Sequence, residues 1–169
     1  MALNRDLLAA LGLIAYNFQN FEKQIEFLAW CLIGGDQAIG QIVTSQIPFA
    51  RLCDLLGSLF RYRTNDAELI AELDDLLAKA ANIEQDKNII MHSAWAVANG
   101  PKAVVTRFKI TARRDKGIKH QFQSMEASDL SKIASSVRKA ANEFSAFMKK
   151  AKDKGIINFP SGQIKSPRA

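Results

Sequence analysis

This sequence has few of the residues that small proteins use for covalent or metal cross-links. Of its 169 residues, only two are cysteine and two are histidine. Cys31 and Cys53 lie in apolar stretches without CxxC spacing, which predicts buried thiols in a reducing compartment and no disulfides. Neither His92 nor His120 has a glutamate three residues before it, which excludes a ferritin-like metal site. We therefore expect no metal and a fold stabilised by its own apolar core.

Two further signals are missing. Gly34-Gly35 and Gly117 fit neither a Walker nor a dinucleotide-binding pattern, so no nucleotide cofactor is expected. The first apolar stretch is interrupted by four polar residues between positions 17 and 22. That interruption argues against both a membrane span and a secretory signal. These absences predict a cytoplasmic protein that does not associate with a membrane.

Basic residues are concentrated in the second part of the chain. Residues 1–99 have a net charge of −5 and residues 100–169 a net charge of +11, which together give the +6 of the whole chain. Such a basic block can attract the phosphates of RNA or an acidic protein partner. It is equally compatible with a solvated surface that binds nothing.

Apolar residues recur every three or four positions in most of the chain, which predicts amphipathic helices. Asn65 and Ser128 are suitable N-cap residues for the last two of them. The five predicted helices span about residues 5–33, 36–47, 48–62, 65–98 and 128–155.

Between the last two predicted helices the apolar period changes to two. Residues 103–111 alternate as a strand does, Asp115-Lys116-Gly117 is a turn signal, and residues 118–125 form a second strand. The sequence thus predicts an all-α fold, an up-and-down bundle of four to five helices with a small β-hairpin, about 103–125, inserted before the last long helix. We expect a single domain over residues 1–155 and a loosely ordered tail over 156–169.

Several polar side chains cluster near the end of the fourth predicted helix. Asn88, His92 and Trp95 follow one another at i, i+4 and i+7 on one helical face, and Lys87 adjoins them. A histidine exchanges a proton near neutral pH, and a neighbouring cation can stabilise charge on a phosphate. A structural role is also open, in which His92 and Trp95 bridge the helix end to the hairpin while Lys87 pairs with Glu84.

This pattern resembles the signature of the HEPN superfamily, in which an arginine and a polar residue precede a histidine late in a helix of an all-α bundle. Lys87 stands at the arginine position, Asn88 at the polar position and His92 at the histidine, and the resemblance covers roughly residues 5–150. It implies a homodimer whose motif-bearing helices form one composite cleft. Many members are metal-independent endoribonucleases of toxin–antitoxin or defence systems, in which the histidine is the acid or base and the arginine holds the phosphate.

The lysine is a departure from this family pattern. Lys87 lacks the planar fork with which arginine binds two phosphate oxygens, so the residues leave open whether the chain is an enzyme. The sequence predicts an RNA-binding protein with His92, Lys87 and Asn88 as the candidate catalytic residues and with no cofactor. The alternative is a non-catalytic helical dimerisation module that binds an acidic protein partner. If the chain is a toxin, its expected partner is an antitoxin.

The predicted hairpin provides a second candidate binding surface, on which cations could follow an RNA backbone. We interpret Phe108 and Phe122, which are interleaved with these cations, as facing the helices. With Trp95, the candidate substrate-binding residues are Arg107, Lys109, Arg113 and Arg114.

Overall fold

A computed structural model of the chain describes residues 5–34, 37–97, 105–113 and 117–159. Arg114 and the last ten residues of the predicted tail lie outside the described residues. The predicted class is confirmed, because the chain is mainly helical and a small antiparallel sheet precedes the last long helix. In chain order the elements are α1 (Arg5–Ile33), α2 (Gln37–Thr44), α3 (Phe49–Arg63), α4 (Ala67–Met91), β1 (Ala94–Val97), β2 (Val105–Arg113), β3 (Gly117–Met125) and α5 (Ala127–Asp153).

The chain divides into two compact units, which share α1, α4 and α5 between them. Unit 1 consists of Met1–Phe21 and Ala78–Asn142, and unit 2 consists of Glu22–Leu77 and Glu143–Ala169. Unit 1 therefore contains the sheet and the end of α4, while unit 2 contains α2 and α3.

The core of unit 1 joins its three helical segments to the sheet. Apolar residues three and four apart on α1 lie on one face and are buried against residues of the other elements. In addition, the Asn17 side-chain amide donates a hydrogen bond of 2.9 Å to the carbonyl of Ala134 in α5. The buried members of this core cluster are Leu7, Ala10, Ile14, Ile90, Met125, Leu130 and Ala134.

Unit 2 has an aromatic core, in which the rings of Phe60 and Phe147 lie 5.3 Å apart. The Trp30 indole donates a hydrogen bond of 2.7 Å to the Thr44 hydroxyl and so connects α1 to α2. Gly40 lies against the same indole, since a β-carbon there would come within 2.7 Å of the Trp30 ring. A larger residue at position 40 would therefore displace α2 from α1.

Asp66, rather than the predicted Asn65, is the N-cap of α4. Its carboxylate accepts a hydrogen bond of 3.1 Å from the Leu69 amide and forms an ion pair of 2.6 Å with Lys154. The Lys154 ammonium and the Leu69 amide lower the pKa of this carboxyl below its ordinary value. A capping carboxylate satisfies one of the free amides that begin every helix, and it interacts favourably with the positive end of the helix dipole.

Replacing Asp66 by alanine should lower the melting temperature at pH 7 and have less effect at pH 3. When folding lowers the pKa of a carboxyl, the group stabilises the folded state at every pH above its pKa in the unfolded chain, about 3.9. That stabilisation is lost as the pH falls through the lower pKa of the folded state. Thermal unfolding of both proteins between pH 7 and pH 3 measures the difference. Asp66→Asn keeps a capping oxygen and should fall between the two at pH 7; a gap that stays constant with pH would contradict this account.

The sheet has the order β1-β2-β3, and both pairs of strands are antiparallel. The predicted hairpin corresponds to β2 and β3, in which Phe108 lies opposite Phe122. The predicted extension of the preceding helix to Ala98 is wrong, because α4 ends at Met91 and residues 94–97 pair with β2 instead. Similarly, α5 begins at Ala127, and Asp129 in its first turn accepts the Glu126 amide, where Ser128 was the predicted cap.

The register determines which side chains of the sheet face the helices. Met125 belongs to the core cluster of unit 1, and residues two apart on a strand share a face. Arg107 is correspondingly only 7% exposed, whereas Phe122 is 69% exposed. The interpretation that Phe108 and Phe122 face the helices is therefore wrong, because the packing of Met125 fixes the opposite orientation.

Candidate functional site

His92 lies in the short turn that joins α4 to β1, and its side chain is exposed. The last α-helical bond runs from the His92 amide to the Asn88 carbonyl at 3.1 Å, and the Ser93 amide then bonds to the Ile90 carbonyl at 3.3 Å in a tighter turn that ends the helix. Within the described part of the chain, the imidazole makes no hydrogen bond and no ion pair. Both ring nitrogens are thus available to a ligand.

Lys87 and Asn88 precede this turn on α4, and both are half-buried. The Lys87 ammonium lies 4.3 Å from the centre of the Phe18 ring of α1, in a cation–π contact. No ion pair with Glu84 is found among the residues that the structure describes, so the pairing considered for a structural role is not formed.

Arg107 was predicted to be a surface cation, but the sheet places its guanidinium in a buried position. It donates to the Ser93 hydroxyl at 3.1 Å and to the Gln123 side-chain oxygen at 2.7 Å. Its Nε is buried and has no hydrogen-bond partner among the described residues. Among the described residues, this buried guanidinium is bonded only to neutral groups, one of which is the side chain of the residue that follows His92.

Trp95 lies on β1, directly opposite Arg107, and packs against the core cluster of unit 1. Because α4 ends before it, Trp95 does not share a helical face with Asn88 and His92, as the predicted spacing had required. Its side chain is half-buried.

The remaining candidate cations lie on the second strand or beyond it. The backbone of β2 contains both Lys109 and Arg113, and Arg114 lies outside the described residues. Lys87 and Asn88 thus lie near the end of α4 and His92 just after it, and Arg107 from the sheet contacts Ser93, the residue that follows His92.

Cys31 is half-buried in α1, and burial raises the pKa of its thiol to about 11. Because the thiolate is the reactive form, this thiol is a poor nucleophile at neutral pH. The finding agrees with the expectation that the cysteines are structural.

No family model matches this sequence, and neither the curated proteins nor the solved structures compared with it include a match. Within the described ranges, no group of three or more histidine, cysteine, aspartate or glutamate side chains is arranged to hold a metal ion. The helices in those ranges include none with the length and apolar character needed to cross a membrane.

Proposed function

We propose that this protein binds RNA and cleaves it without a metal ion, as a HEPN-like homodimer whose site contains His92, Lys87 and Asn88. The observation that carries the proposal is the environment of His92. Its ring is exposed just after the end of α4, one turn beyond Asn88, makes no bond to any described residue, and has a cation nearby in sequence at position 87.

The proposed reaction is an internal transfer at a phosphodiester. The ribose 2′-oxygen attacks the phosphorus, the bond from phosphorus to the 5′-oxygen breaks, and the products are a 2′,3′-cyclic phosphate and a free 5′-hydroxyl. His92 accepts the proton of the 2′-hydroxyl, and the histidine of the second copy donates a proton to the leaving oxygen. Lys87 stabilises the negative charge that builds up on the phosphorus-bound oxygens.

The ion pairs of the molecule support this location over the other basic region. At the end of α5, Lys150 pairs with Glu72 at 2.7 Å and Lys154 with Asp66 at 2.6 Å, so these two lysines are partly neutralised within unit 2. Around His92, by contrast, Lys87 contacts an aromatic ring and Arg107 contacts neutral oxygens. Among the described residues, Lys87 and Arg107 thus have no acidic partner.

The experiment that tests the proposal is incubation of the purified full chain with end-labelled single-stranded and hairpin RNA in EDTA. We expect cleavage products that carry 2′,3′-cyclic phosphate ends. An RNA with a 2′-deoxy residue at the cleaved position should resist cleavage, because the attacking oxygen is missing. Absence of cleavage at high protein concentration would refute the catalytic part of the proposal.

Lys87 also favours the second candidate function, a non-catalytic dimer that binds RNA or an acidic protein partner such as an antitoxin. Its ammonium is a point charge held over Phe18, without the two parallel donors that an arginine offers to a phosphate. Under this alternative, the chain would bind its partner and cleave nothing.

Replacing Lys87 by arginine should raise the rate of RNA cleavage about tenfold, the effect of one additional charge-assisted hydrogen bond. Arginine can keep the contact with Phe18, since guanidinium groups also stack on aromatic rings. Single-turnover cleavage rates of the two proteins provide the measurement. Lys87→Met has a side chain of similar length without the charge, and it should lower the rate of cleavage. Equal rates for all three proteins would show that the cation at position 87 plays no part in cleavage.

A further inference from the structure

Arg107 of β2 is linked by hydrogen bonds to the turn that carries His92. Its guanidinium donates to the Ser93 hydroxyl at 3.1 Å, and that hydroxyl donates to the Ile89 carbonyl in the last turn of α4. The guanidinium also donates at 2.7 Å to the side-chain oxygen of Gln123, the cross-strand partner of Arg107 on β3. The side chain of Ser93 is therefore bonded both to the helix and to the sheet.

The stability of the fold does not account for an arginine at position 107. The residue is only 7% exposed, its Nε is buried without a partner among the described residues, and its two described partners are neutral. Burying a charged group costs free energy, and neutral partners offset that cost less completely than a carboxylate does. An apolar side chain would avoid the cost altogether. A buried charge of this kind indicates a role in function.

The bond to Ser93 connects Arg107 to the proposed site. The His92 side chain makes no bond to the described residues, so the backbone of the turn determines where its ring can reach. That backbone is bonded to α4 on one side, through the His92 amide and the Asn88 carbonyl, and continues into β1 on the other. A group that transfers a proton must lie within hydrogen-bond reach of the reacting oxygen, so a small displacement of the turn would slow the transfer.

We infer that Arg107 is a positioning residue: acting through Ser93, it holds the turn in the place from which His92 reaches the RNA. This inference rests on the proposed function, because it assigns a role in that reaction to a residue that does not touch RNA. The burial of Arg107 argues against direct contact with the substrate, the role predicted for it from the sequence.

The test is single-turnover cleavage of labelled RNA by the full chain, in EDTA and over a range of protein concentrations. Arg107→Met should lower the maximal rate by about 10- to 100-fold, the effect of a small misplacement of a reacting group, and leave the half-saturating concentration unchanged. Ser93→Ala should also lower the maximal rate. The double variant should be no slower than the slower single variant, because both substitutions break the same link.

Two further variants serve as controls. Ser93→Thr keeps a hydroxyl at this position and should retain the rate of the unchanged protein. Arg138→Met is the matched control for the loss of an arginine, since Arg138 is an exposed residue of α5 in the same unit, and it should leave the maximal rate unchanged.

Two measurements without RNA distinguish positioning from a purely structural role. The melting temperature of Arg107→Met should not fall below that of the unchanged protein, because an apolar side chain replaces a buried charge. Amide hydrogen exchange in the peptide that spans residues 88–95 should be faster in Arg107→Met and in Ser93→Ala, whereas exchange in α3 should not change.

The outcomes separate this inference from the proposed function. If the unchanged protein cleaves no RNA, the proposed function and the role of Arg107 in cleavage are both wrong. If it cleaves RNA and Arg107→Met has the same rate, or the same exchange at residues 88–95, only the positioning role is wrong. A slower rate explained by a lower melting temperature would make Arg107 a structural residue, and one explained by a higher half-saturating concentration would make it a binding residue. Either result would overturn the inference.

Discussion

RNA cleavage by the full chain is expected to fall by about 10²- to 10⁴-fold when His92 is replaced by alanine, the range over which a positioned proton-transfer group accelerates a reaction. The side chain is exposed and makes no hydrogen bond with the described residues, so the variant should fold as the unchanged protein does. The loss would therefore reflect chemistry and not stability.

Rates of cleavage of the same labelled RNA in EDTA, together with thermal unfolding curves, measure this effect. Gln85→Ala is a suitable control, because Gln85 is an exposed polar residue near the end of the same helix and contributes nothing to the proposed reaction. Cleavage that persists in His92→Ala at the unchanged rate would remove His92 from the mechanism.

Replacing Ile14 by alanine should lower the free energy of unfolding by about 2–5 kcal/mol, the usual cost of truncating a buried isoleucine. Ile14 is 0% exposed and belongs to the core cluster that also contains Ile90, near the end of α4, and Met125, at the end of β3. The cost arises from the lost burial of three carbon atoms and from the cavity that remains.

The neighbouring residue provides the control for this prediction. Leu13 is 52% exposed on the opposite side of α1, and its replacement by alanine should change the free energy of unfolding by no more than about 0.5 kcal/mol. Urea unfolding curves of the two variants compare them directly. If Ile14→Ala and Leu13→Ala lowered the free energy of unfolding equally, the assignment of the Ile14 face of α1 to the core would be wrong.

The elements set by local patterns could be predicted from the sequence. The spacing of Leu7, Ile14 and Phe21 identifies the buried face of α1, and all three are buried. The change of period after residue 103 likewise located the β2–β3 pair. These patterns suffice because each depends only on neighbours along the chain.

The end of α4 and the orientation of the sheet could not be predicted in this way. The residues from His92 to Val97 fit a helical face as well as a strand, and β1 forms only because residues 105–108 are available to pair with it. The two faces of β2 both contain apolar residues, so alternation alone could not tell which of them meets the helices. The contact of Met125 with the core decides it, and that contact is tertiary.

The candidate site shows the same division. Lys87, Asn88 and His92 are close in sequence, so the cluster at the end of α4 is visible without a structure. The burial of Arg107 against Ser93 is not, because 14 residues separate them and the sheet must form first. Strand alternation alone predicts that Arg107 is a surface cation. Its hydrogen bonds to the neutral partners Ser93 and Gln123 allow it to be buried instead.

Photo-crosslinking tests the central claim, that unit 1 binds RNA, most directly. A single-stranded RNA that contains 4-thiouridine would be bound to the full chain, irradiated and digested, and the linked peptides identified by mass spectrometry. We predict crosslinks in the peptide that contains Lys87, Asn88 and His92. Crosslinks confined to the lysine-rich end of α5, with none in residues 87–125, would contradict the account.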